Sequence, residues 1–82
     1  LERSPDGISP QEIETKLITD VPEIKDIHDI HVWEITSQFI CLSAHVILDN
    51  MMLDETHKIR SKIADILQHH FGVGHMVIQF EC

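Results

Sequence analysis

Phe39-Ile40-Cys41-Leu42-Ser43-Ala44-His45-Val46-Ile47-Leu48 has apolar residues at all five even positions, Ile40, Leu42, Ala44, Val46 and Leu48. Side chains of a strand alternate between its two faces, so this run is a strand with a definite core face. His45 then belongs to the opposite face. Immediately before it, Ile24–Thr36 is rich in Ile, Val and Trp and is broken from it by Thr36-Ser37-Gln38, so the two runs form a β-hairpin.

The flanking segments supply helices. Ser9 is placed as an N-cap, Pro10 as the first helical residue and Glu12 as the capping-box partner, followed by a narrow stripe of Ile13, Leu17 and Ile18. Val21-Pro22 ends that helix. Asp49-Asn50 caps a second helix over about 52–70, in which Leu53, Ile59, Ile63, Ile66 and Leu67 keep helical spacing and Gly72-Val73-Gly74 closes it. Met76-Val77-Ile78-Gln79-Phe80 is a last short strand ending at Glu81. The order α-β-β-α-β, with strands under helices on one face, predicts an α+β open sandwich with a three-stranded mixed sheet. Residues 1–8, with Pro5 and Gly7 and no periodicity, read as a lead-in from something upstream, and residues 9–82 as one folded domain.

The totals narrow the function. The 82 residues are 43% apolar and 24% charged, which is ordinary for a folded protein of one small domain. So short a chain buries only about 60–65% of its unfolded surface, and a second subunit or a bound metal would add to its stability. Fourteen acidic against six basic residues leave a formal charge of −8, which repels phosphate backbones and attracts cations, so nucleic acid is excluded as a partner. Two cysteines, Cys41 and Cys82, make neither a disulfide framework nor a CxxC pair and suit a reducing compartment. No apolar run approaches the ~20 residues that cross a bilayer, and no secretory leader is present, so the chain itself is expected to be soluble.

Seven histidines are an unusual loading, and three of them, His28, His31 and His45, sit on the two hairpin strands. Neutral imidazole is the commonest metal ligand, and a rigid strand pair holds rings near one another without ordering a loop. Pairing parity governs which rings meet. A two-residue Ser37-Gln38 turn puts His28 and Ile30 on the face of His45 and turns His31, Trp33 and Ile35 toward the core. A three-residue loop or one bulge instead puts His31 opposite or diagonal to His45 and sends Ile30 and Val32 inward. Both registers stay open from sequence. No GxSxG, P-loop or HExxH spacing is present, and a hydrolytic zinc site would need an open coordination position and a separate base, so an enzyme is not expected.

The series His31-Val32-Trp33-Glu34-Ile35-Thr36-Ser37, Cys41-Leu42-Ser43-Ala44-His45-Val46 and His75-Met76-Val77-Ile78-Gln79-Phe80-Glu81 resembles the cytosolic C-terminal domain of cation diffusion facilitators, in their zinc/cadmium/cobalt efflux (CzcD-like) branch. The similarity spans nearly the whole chain, and Pro5-Asp6-Gly7-Ile8 resembles the segment after the last membrane helix of such transporters. The resemblance implies a ferredoxin-like, metallochaperone-like fold and a homodimer at the cytoplasmic face of the membrane. It also implies a regulatory role for bound Zn2+, or Cd2+ or Co2+, joined in the full-length protein to a transmembrane domain absent here. One ligand pattern of the family falls on His31, His45, His75 and Glu81; another falls on His28, His45, His57 and Glu81, with Gln79 where that pattern has a further histidine.

Each candidate has a plainer reading. His31 beside Trp33 suits a structural histidine as well as a ligand, and Asp29 suits the role of orienting the His28 ring. His57 after Asp54-Glu55 suits a capping cluster at a helix start, and Glu81 an exposed strand-end carboxylate. His69 and His70 point about 100° apart at a helix C-terminus and are poor partners for one ion. Trp33 reads as core or dimer interface, and Cys41 and Met51-Met52 as fillers. The competing function is a stand-alone soluble metal carrier or interaction module with no transport role.

Overall fold

The computed structural model describes residues 7–36, 38–50 and 53–82. Its elements are α1 (Pro10–Asp20), β1 (Ile24–Thr36), β2 (Phe39–Leu48), α2 (Leu53–Phe71) and β3 (Val73–Glu81), in the order expected. Ser37, Met51, Met52 and most of the lead-in lie outside the described residues. Ile8, placed in the lead-in from sequence, packs partly against the core.

α1 begins where the sequence places it. The Ser9 hydroxyl accepts from the Gln11 N–H at 3.2 Å, one residue short of the Glu12 N–H that a capping box engages. Val21 ends the helix by donating to the Leu17 carbonyl, and Ile24 donates back to the Val21 carbonyl, which turns the chain directly into β1. The buried stripe is Ile13 and Leu17 only; Ile18 is 37% exposed, because it lies about 100° round the helix from Leu17.

β2 is the central strand, antiparallel to β1 and parallel to β3, so the sheet is mixed and ordered β1-β2-β3. A parallel neighbour needs a crossover, and α2 provides it. α2 buries Ile59, Ile63 and Leu67 and leaves Leu53 exposed. Its closure is shorter than expected. Gly72 at φ +72° donates to the Gln68 carbonyl, and Val73 and Gly74 already belong to β3.

Both helices pack on the even face of β2, where Leu42, Ala44, Val46 and Leu48 meet Ile13, Leu17, Ile59, Ile63 and Leu67 in one buried cluster. Fully burying a Leu or Ile side chain contributes about 1.5–3 kcal/mol. Among the described residues no element covers the other face, which carries Cys41, Ser43, His45 and Ile47. No helix of the described residues is long and apolar enough to cross a membrane.

Candidate metal centre

Three irregularities in β1 fix which of its side chains join that uncovered face. Between Ile24 and Asp26, His28 and His31, and Glu34 and Thr36, β1 carries one residue more than β2, and each extra residue reverses the alternation. The turn pairs Thr36 with Phe39, as a two-residue loop requires, but the irregularity next to it reverses the side assignments at once. Val32 therefore packs inward opposite Leu42, while His31 and Trp33 face outward opposite Ser43 and Cys41. The irregularity spanning Asp29 and Ile30 reverses the strand again, so His28 is opposite His45 on the same outer face. The two registers left open by the sequence are each realised over part of the strand.

β3 needs a similar adjustment. Gly74 is an extra residue between the Ile40–Val73 and Cys41–His75 pairs, and a Cβ there would meet the Phe39 ring at 3.0 Å. The close packing of that ring holds the shift, which turns Val77, Gln79 and Glu81 outward and leaves Ile78 inward. The outer face is consequently built of four cross-strand rows: Asp26, Ile47 and Glu81; His28, His45 and Gln79; His31, Ser43 and Val77; Trp33, Cys41 and His75.

The rows decide which candidates meet. Glu81 is one row from His45, and its Oε1 lies 3.8 Å from the His45 Nδ1, with side chains 47% and 38% exposed. Two donors about 2.0–2.2 Å from one tetrahedral ion stand about 3.4 Å apart, so this pair fits a common ion after a few tenths of an ångström of adjustment. Beside it a depression of about 200 Å³ is lined by Asp29, Ser43, His45, Val77 and Gln79. Among the described residues no three His, Cys, Asp or Glu side chains converge closely enough to hold an ion.

Within one chain the other candidates engage different neighbours or lie farther along the sheet. The His28 Nε2 is 3.3 Å from the Asp26 carboxylate, so Asp26 and not Asp29 is its acidic neighbour. The exposed His31 ring stacks on the half-buried Trp33, with centroids 4.8 Å apart and planes 25° from parallel. His75 pairs with Cys41, four residues along β2 from His45, which is about 13 Å of strand. His57 is exposed on α2 two residues before the inward Ile59, about 200° round the helix, so it points away from the sheet. His69 instead meets the Asp65 carbonyl at 2.9 Å, and Cys41 is a buried filler, 2% exposed. Gln79 and Asp29 beside His45 were not among the residues singled out as ligands. An Asp tolerant of left-handed backbone inside an apolar strand was the available signal.

The structure is thus a small α+β domain whose uncovered sheet face carries imidazoles and carboxylates, and comparison with known proteins places it in a family. Residues 5–82 match the cytoplasmic domain of cation efflux proteins, and the chain belongs to that family. It is 35% identical over 82 residues, 99% of its length, to the cadmium, cobalt and zinc/H(+)-K(+) antiporter of Bacillus subtilis, and covers 26% of that protein. It is 32% identical over 81 residues to the metal cation efflux system protein CzcD of Cupriavidus metallidurans, again over 99% of this chain and 25% of the relative. The metal-bound C-terminal domain of the CzcD transporter from the latter organism superposes with a TM-score of 0.78 at 29% identity, over 92% of this chain and all of that one. The chain thus spans about a quarter of the length of these relatives, and the metallochaperone-like α-β-β-α-β fold expected from sequence is the fold observed.

Proposed function

We propose that this chain is the regulatory domain of a divalent-cation efflux transporter, one that binds Zn2+, or Cd2+ or Co2+, on its bare sheet face and pairs there with a second copy. The observation that carries this reading is the 3.8 Å approach of His45 and Glu81 across β2 and β3. A neutral imidazole nitrogen and a carboxylate oxygen are donors that zinc accepts, and a formal charge of −8 draws cations to the surface. The chain's own residues here bind and orient: β2 and β3 set the spacing of the two donors, and further donors complete the shell. Of the two ligand patterns read from sequence, both contain His45 and Glu81, and His31 and His28 are the neighbours on the same face. His75 and His57 join a shared ion only if it is completed across two copies.

Pairing is supported by Ile47 and Trp33, partly buried, and Val77, 55% exposed, on a face that no helix among the described residues covers. An uncovered apolar sheet face in so small a domain gains stability from a second subunit. In the full-length protein, the residues before 9 lead to a membrane-spanning part that performs the transport, with this domain at the cytoplasmic face. The relatives are named as antiporters and efflux proteins, which accords with a role in transport and not in catalysis.

Titrating Zn2+ into the purified chain by calorimetry tests the reading. Binding that is lost in His45→Ala and in Glu81→Gln, and that weakens as pH falls below about 6.5 because ligation needs neutral imidazole, is the expected result. Zinc binding that ignores both substitutions and pH contradicts it.

A further inference from the structure

We propose that Asp29 supplies a third donor to the cation held by His45 and Glu81, so that one ion draws an oxygen from β1, a nitrogen from β2 and an oxygen from β3. The inference rests on the His45–Glu81 reading and deepens it. Neither ligand pattern read from the sequence includes Asp29, whose carboxylate was expected to orient His28. Asp26 occupies that place, at 3.3 Å from the His28 ring, which leaves the Asp29 carboxylate to another use.

Two independent features point to the depression beside His45. Asp29 lines it together with His45 and Gln79, so Asp29 and His45 open on the same volume of about 200 Å³, while Glu81 approaches His45 from the adjoining row. Asp29 is also the one non-glycine residue at positive φ among those described, at +56°. A left-handed residue costs an ordinary side chain roughly 1–2 kcal/mol, and Asp is one of the few that adopt it readily. That conformation belongs to the extra residue that separates the His28–His45 and His31–Ser43 pairs, so the irregularity that turns both histidines outward also presents this carboxylate at the rim of the depression.

The electrostatics fit a divalent ion. Asp29 and Glu81 are both anionic, so they close on one point only around a cation, and together they neutralise its two charges while His45 adds the nitrogen donor. In the present geometry no three donors among the described residues, Asp29, His45 and Glu81 included, converge on one point. The Asp29 side chain is exposed, so it is free to change rotamer toward the depression it shares with His45. Two oxygens to one nitrogen make a harder donor set than three imidazoles, which shifts preference away from soft Cd2+ and toward Zn2+, Co2+ or Mn2+.

The test is calorimetric titration of Zn2+ into the wild-type chain, Asp29→Asn, Asp29→Gly and His45→Ala, with the zinc-induced rise in melting temperature as a second readout. Asn and Gly both tolerate the left-handed backbone, so the metal-free melts report whether the bulge is intact. Weakening of Zn2+ binding by at least about tenfold in both Asp29 variants, with metal-free melts near wild type, is expected. Asp29 variants that bind within about twofold of wild type while His45→Ala loses binding overturn the role of Asp29 and leave the His45–Glu81 pair standing. Binding unchanged in His45→Ala overturns both.

Discussion

The Arg60 guanidinium lies 4.9 Å from the centre of the Phe80 ring and donates to the Ile78 carbonyl at 3.4 Å, so α2 grips β3 immediately before Glu81. The contact ties the helix layer to the strand end that carries the carboxylate half of the candidate metal pair.

Arg60→Ala removes both the ring contact and the hydrogen bond. A loss of about 1 kcal/mol is expected, which for a domain of this size lowers the melting temperature by roughly 4–8 °C. Scanning calorimetry of the metal-free chain measures it, and Arg60→Lys should recover part of the loss. An unchanged melt would show that the grip carries no stability.

The proposed pairing through the bare sheet face makes Val77 a sensitive position, because it lies in an inner row on edge strand β3 and is 55% exposed. Val77→Lys places a charge on the face proposed for pairing and should shift the chain to monomer in sedimentation velocity runs without metal. The monomer's own stability should change by less than about 0.5 kcal/mol, as for other exposed positions. Persistence of the dimer in this variant would move the interface elsewhere.

Glu23, at the turn into β1, has its carboxyl held below the ordinary carboxylate range, first by a backbone N–H and then by Lys62, whose ammonium is 3.2 Å away. A depressed folded value contributes stability above the unfolded value and loses it as pH falls through the folded one. Glu23→Gln should therefore be less stable than wild type near neutrality, by no more than about 1 kcal/mol because the pair is half exposed. The difference should close as pH falls below about 4.5, the ordinary value for Glu. Denaturation curves at pH 7 and pH 3 that show the same gap would refute the linkage.

Gly72 ends α2 at φ +72°, where any side chain is strained. Gly72→Ala should cost roughly 1–2 kcal/mol in urea denaturation. The outcome that would count against this account of the helix end is a variant as stable as wild type.

How much of this was legible before the structure differs between strands. β2 declared its faces through five even apolar residues, and α1 declared its start through Ser9-Pro10, because both signals are local. β1 did not, since its side assignments depend on three extra residues whose positions follow from pairing with β2 and from the left-handed backbone of Asp29. Alternation alone therefore offered His28 or His31 on the face of His45, and the folded strand presents both. β3 was expected from Met76 and begins at Val73, because Gly74, a poor strand residue in isolation, is required by the Phe39 ring against it. The same shift decides the site. With Gly74 counted as an extra residue, Gln79 and Glu81 turn toward His45, and His75 is carried four residues away along β2. That register is a property of the β2–α2–β3 crossover and is written in no single segment.

A crystal of the chain grown with Zn2+ and measured at the zinc absorption edge addresses the metal pair without intermediaries. An anomalous peak about 2.0–2.2 Å from both the His45 Nδ1 and a Glu81 carboxylate oxygen is the predicted result. A folded, zinc-saturated chain with His45 and Glu81 free of any ion would contradict it.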